Sequence, residues 1–221
     1  MALATPGLRM MYLGTIVTVA ILSLTGARGQ DKKESAGLRV ASINLAKTVN
    51  EYKFTQDAER QLRNRQSELV SEMNSWDQHK LLSEADQRAL GQIAIKDNDK
   101  VALTPQETAS KTKIEETSKR LFDEYLALQT QQGATPAQTD RLKELSRLEA
   151  DTNKRIKERQ TAGQEELQKL NQDLHGKIDE AIKAALAEVA KAKAFNVVFS
   201  ADYAVYCEND ITEDVVKKLN K

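Results

Sequence analysis

The 221-residue sequence predicts an α+β chain, predominantly α: a long α-helical hairpin arm standing on a small β-strand body. Three observations predict it. Short β-branched runs stand near both ends of the chain, at 38–44 and 195–200. The stretch between them, 45–194, has helical composition and no strand alternation. Two Thr-Pro pairs inside that stretch, Thr104-Pro105 and Thr135-Pro136, each read as an N-cap followed by the first helical residue.

Taken in order, the chain begins with one positive charge and no acid in residues 1–9, an apolar block over 10–24, and small residues at Thr25, Gly26, Ala27 and Gly29. That layout is a signal peptide, 1–29, and the block is too short to span a bilayer. Cleavage there removes Arg9 and Arg28 and leaves a mature chain of charge −2, against zero for the whole. A polar leader, 30–37, precedes the strand Leu38-Arg-Val-Ala-Ser-Ile-Asn44. Helices are expected over 46–80, 84–97, 105–131 and 136–194. The C-terminus should add the strand Phe195–Ser200, a third strand over 204–207, and a short helix over 210–219 capped by Thr212.

The helix 136–194 is too long for a globular core and needs a coiled partner. If the strands share a sheet, 46–78 and then 105–131 run outward while 136–194 returns, with the tip near 132–136 and an insertion near 79–104. The apolar spacing fits a thin seam: Leu62, Leu69, Met73 and Trp76 on the first helix, Leu121 and Tyr125 on the third, and Leu142, Leu145, Leu170, Leu174 and Ile178 on the last. The fold about the tip should bring Tyr125 near Leu142 and Leu121 near Leu145. Gly163 and Gly176 interrupt the last helix and are possible hinges. Length matching sets Gly163 opposite 76–78, where a small residue would accommodate Trp76.

Composition excludes much chemistry. A single Cys, Cys207, forbids an internal disulfide framework and a CxxC zinc site, and two His cannot build a His-rich metal site. There is no phosphate loop or nucleophile triad, so no enzyme, cofactor or metal is expected. Cys207 reads as a packed free thiol, and His79 and His175 as solvated. Zero net charge removes the bulk-charge argument for nucleic acid. Six of the nine aromatics after the leader lie at the foot of the arm: Tyr52, Phe54, Phe195, Phe199, Tyr203 and Tyr206. A body that small argues for oligomerisation.

The segments Leu38–Asn44, Phe195–Tyr206 and Asp210–Leu219, in that order around a helical excursion, resemble the OmpH/Skp family of periplasmic chaperones. The resemblance implies a homotrimer whose strands build a shared body, here drawing on Val40, Ile43, Phe195, Val197, Phe199, Tyr206, Ile211, Val215 and Leu219. It implies a periplasmic, ATP-independent holdase whose arms enclose unfolded outer-membrane proteins, with possible contact to the membrane surface. The stretch 76–136 carries eight Lys/Arg and ten Asp/Glu, unlike the strongly basic members of that family. The rival reading is an envelope coiled-coil spacer or adaptor that binds one folded partner.

Overall fold

The structure is a computed structural model that describes residues 37–204 and 206–221. The expected signal peptide and most of the polar leader lie outside the described residues.

The two end segments pair side by side. Strand β1 (Val40–Ile43) and strand β2 (Val197–Ser200) run parallel, with Val40 opposite Val197 and Ile43 opposite Ser200. A parallel pair needs a crossover, and here the crossover is the whole arm. The other edge of β1 is closed by a single bridge, where Ser42 N–H donates to Asn209 O (2.8 Å) and Ile211 N–H donates to Ser42 O (2.9 Å). The third sheet element is therefore this bridge at Asp210, and among the described residues of the strand expected over 204–207, Ala204, Tyr206 and Cys207, none is in a strand. After β2 the chain enters a 3-10 turn, Ala201–Tyr203, capped by Ser200 Oγ. Asp210 also runs parallel to β1, so the chain after β2 has to cross back before reaching it.

The body core is aliphatic. Ala41 and Ile43 of β1 meet Ala185, Ile211 and Val215, with Leu186, Val189, Phe195 and Val198 packed around them. The last helix of the chain, α6 (Thr212–Leu219), seats its apolar face here. Thr212 is not its N-cap. It is the first helical residue, and Asp210 Oδ1 accepts from both its N–H (2.9 Å) and its hydroxyl. The Thr212 hydroxyl is already engaged elsewhere, accepting from Asn44 N–H at 2.8 Å.

The first expected helix is two. Helix α1 (Leu45–Glu51) ends at Tyr52, whose backbone is extended, and α2 (Lys53–Gln78) begins at once. Asn220 holds the break: its Nδ2 donates to Glu51 O (2.9 Å) and its Oδ1 accepts from Lys53 N–H (2.8 Å). The remaining helices follow the punctuation of the sequence: α3 (Glu84–Asn98), α4 (Pro105–Thr130) and α5 (Pro136–Ala192). Thr104 and Thr135 each close a full capping box, with Glu107 and Gln138 respectively. α3 and α5 both end with a non-glycine residue in the left-handed region, Lys100 at φ 57° and Ala194 at φ 58°. At Ala194 the paired bonds Phe195 N–H to Ala190 O and Ala194 N–H to Lys191 O form a Schellman end.

The arm is a zigzag against one continuous helix. α2 runs out, α3 folds back along it, α4 runs out again, and α5 returns beside α2 and α4. The lower register is fixed by Arg65–Glu166 and Glu72–Arg159, one heptad apart, and the upper by Glu124–Arg141. Gly163 consequently faces Leu69, whose methyls lie 3.2 and 3.3 Å from where its Cβ would be, and not residues 76–78. The displacement has a geometric cause. α5 descends to the start of the strands, whereas α1 begins at their far end. Four strand residues span about 13 Å, or about nine residues of helix. The glycine that accommodates Trp76 is Gly91 of α3, where an added Cβ would lie 2.9 Å from the indole Nε1.

Candidate functional site

Of the described residues, three regions carry features beyond simple scaffold: the outer face of the body, the polar joint in mid-arm, and the outer third of the arm.

On the body, Phe199 is 50% exposed and Tyr203 and Tyr206 are each 84% exposed. Leu38 is exposed as well. Three of the aromatics at the foot of the arm are therefore on the surface, and the core beneath them is aliphatic. Phe199, Tyr203 and Tyr206 line a shallow depression with Val40, Ala41 and Cys207. Cys207 is half-buried, its Sγ 3.6 Å from Asn209 O. The sheet order leaves the outer edge of β2 without a strand neighbour among the described residues, so its outward backbone groups form an open edge beside the exposed rings.

In mid-arm, the end of α2, the start of α3 and the middle of α4 meet α5 through a buried polar network. Gln87, essentially inaccessible, donates to Thr152 Oγ1 (2.8 Å) and to His79 O (3.0 Å). Thr152 donates to Lys80 O (2.8 Å), and Arg155 donates to Thr152 Oγ1 (3.0 Å) and to Gln87 Oε1. His79 Nδ1 and Ser118 Oγ are 2.8 Å apart. His79 is thus half-buried and bonded, not solvated, and burial holds its imidazole below the usual histidine range against the opposing charge of Glu115. Around the network, Leu82, Leu90 and Ile114 form a small dry cluster with Leu121.

The outer arm is thinner. Leu145 is fully buried, and Tyr125 reaches past it to donate to Glu149 (3.0 Å). Arg141 grips Glu124 with two bonds, 2.7 and 3.0 Å, which holds that carboxyl below its usual range. On the same helix Phe122 (53% exposed) and Leu126 stand uncovered, one turn apart.

Against the known proteins, a family model described as "Outer membrane protein (OmpH-like)" matches residues 39–219. The chain belongs to the OmpH-like family. OmpH-like proteins are chaperone-like proteins of the periplasm. No curated protein and no solved structure matches this chain.

In this OmpH-like chain the residues singled out from sequence fall into distinct environments. Ile43, Ile211 and Val215 are buried in the body core, and Phe195 and Leu219 pack against it. Val40 and Val197 are half-buried, while Phe199 and Tyr206 face outward. On the arm, Leu62, Leu174 and Ile178 share one cluster with Val49, Ala58 and Ile182, and Leu170 packs against it. Leu69 and Trp76 are buried, Met73 half-buried. Leu121 joins the mid-arm cluster, and Tyr125 and Leu142 are half-buried. Gly163 is buried within a continuous helix; Gly176 faces open space. No described helix is long and apolar enough to cross a membrane.

Sequence reasoning missed Gln87, Thr152, Arg155, Gly91 and Asn220. The one available signal was Gly91 at an otherwise apolar position of α3, paired with the lone Trp. Gln87, Thr152 and Arg155 sit in ordinary polar helical sequence, and nothing local marks them as buried.

Proposed function

We propose that this OmpH-like protein is an ATP-independent periplasmic holdase that binds unfolded outer-membrane proteins and prevents their aggregation. The observation that carries this reading is the economy of α5: it has 57 residues, of which seven are buried. A helix that contributes so little to its own core serves to present surface. Phe122 and Leu126 on the neighbouring α4 add uncovered apolar area to the arm. Contacts of this size are individually weak. Several in parallel would retain an unfolded chain yet let it move and leave.

The working unit in this reading is a homotrimer, exported by cleavage of the signal peptide. Exposed Leu38, Phe199, Tyr203 and Tyr206 beside the open edge of β2 support a body completed by other copies. Each trimer would hold three arms around a common space.

The test is dilution of a urea-unfolded β-barrel protein into buffer with and without the mature chain. A holdase suppresses turbidity at stoichiometric trimer, without nucleotide. Unchanged turbidity at excess trimer, together with tight binding to one folded envelope protein, would establish the spacer or adaptor in its place.

A further inference from the structure

We infer that α3 is a splint: it makes the middle of the arm a stiff block and confines bending to the helix pairs on either side. The inference is independent of the chaperone reading, because it concerns the mechanics of the arm alone.

The block is defined by its contacts. α3 lies antiparallel on α2 from the turn at His79–Ser83 back to Asn98, whose Oδ1 accepts from Ser67 Oγ at 2.9 Å. It is bound to α5 through Gln87, Thr152 and Arg155. It is bound to the first turns of α4 through Lys96–Glu107 and Lys111–Asp97 (2.6 Å). Over α2 residues 67–79 the arm therefore contains segments of all four helices. Below it α2 faces α5, joined by α1 and α6 only at the foot, and above it α4 faces α5 alone. Resistance to bending rises steeply with the number of rods fixed side by side, provided they cannot slide. Sliding is opposed here by three groups that would have to leave buried positions: Gln87, Leu90 and the Trp76 ring against Gly91.

The two flanking pairs lack such a brace. The lower pair is held by one apolar cluster, Ala58 and Leu62 against Leu174 and Ile178, with open space where a Cβ at Gly176 would stand, and in the upper pair Leu145 is the sole fully buried large side chain of the outer arm. Gly163, which sequence spacing offers as a hinge, sits within reach of the block with Leu69 closed over it. The structure thus assigns the stiff section to the glycine the sequence marks as a bend.

Three spin-label pairs on α5 test this in a Cys207→Ser background. Labels at Thr139 and Lys154, at Lys154 and Lys169, and at Lys169 and Ala184 enclose equal lengths of about 22 Å of helix. All four positions are exposed. The splint predicts the narrowest distance distribution for the middle pair. Equal widths in all three pairs, or a broader middle pair, would overturn it. The same measurement on Gly91→Leu, with hydrogen exchange to show that 84–98 has been released, should broaden the middle pair by at least twofold. A released α3 with an unchanged middle distribution would also overturn it. Should Gly91→Leu leave α3 docked or unfold the chain, the three wild-type widths still decide.

Discussion

Replacing Gln87 by Met tests whether the mid-arm network holds α3 in place. Met keeps the length and nearly the volume of the side chain, so no cavity confounds the result. Three bonds are lost: to His79 O, to Thr152 Oγ1 and from Arg155. Thr152 keeps Lys80 O and Arg155, and the Arg155 guanidinium is only partly buried and turns to water. The His79 carbonyl loses the Gln87 donor but keeps the Leu82 N–H at 3.2 Å. No acceptor is orphaned, so the cost is that of the three lost bonds at about 1 kcal/mol each. The expected loss of local stability is about 2–3 kcal/mol, which speeds amide exchange in α3 roughly 30- to 160-fold. Hydrogen exchange resolved to residues 84–98 reads this directly, because the arm need not unfold as a unit with the body. A double cycle with Thr152→Val should show a coupling of about 1–2 kcal/mol. Acceleration below threefold would mean that the Gln87 bonds merely replace water and that α3 is held by its apolar face alone.

Other expectations follow from the same structure. Because burial lowers the His79 pKa in the folded arm, the unfolded chain binds more protons between the folded value and the ordinary one of about 6.5. Mid-arm stability is therefore fully present above about pH 6.5 and falls as the pH drops through the folded pKa; the exchange protection factors of α3, taken relative to the intrinsic rate at each pH, should fall below about pH 6.5, and His79→Gln should remove that dependence. Thr212→Ala leaves the Asn44 N–H without its acceptor and should cost about 1–3 kcal/mol of body stability in denaturant titration. Ala194→Gly and Lys100→Gly relieve left-handed backbone at two helix ends, and each should raise stability by about 1 kcal/mol. Among the glycines, Gly176→Ala meets open space and should gain about 1 kcal/mol; Gly163→Ala should gain less because Leu69 must shift, and Gly91→Ala should destabilise.

What could be read in advance was whatever the chain specifies locally. Thr104-Pro105 and Thr135-Pro136 carry cap and first helical residue together, so α4 and α5 start where the sequence places them. The break at Tyr52 could not be read, because Asn220, at the opposite end of the chain, supplies the bonds that hold it. The pairing of α2 with α5 was displaced by the rise of two parallel strands, a length that enters only once their direction is known. The expected third strand is missing among the described residues of 204–207 for a related reason. Apolar residues at 204–207 have strand propensity, but the capped turn at Ser200 precedes them, and the place beside β1 is taken by Asn209–Ile211. The foot aromatics lie at the body, and Phe199, Tyr203 and Tyr206 among them face outward from the single chain. Count and position do not distinguish a ring inside one body from a ring on its outer face.

The most direct test of the account is the mass and state of a client complex. An unfolded outer-membrane β-barrel protein is diluted from urea onto the purified mature chain and analysed by native mass spectrometry and limited proteolysis. The account predicts a discrete particle of three chains and one client, with the client soluble and still unfolded by its protease sensitivity. Aggregated client alongside free chain, or a stable folded monomer as the sole form of the protein, would contradict it.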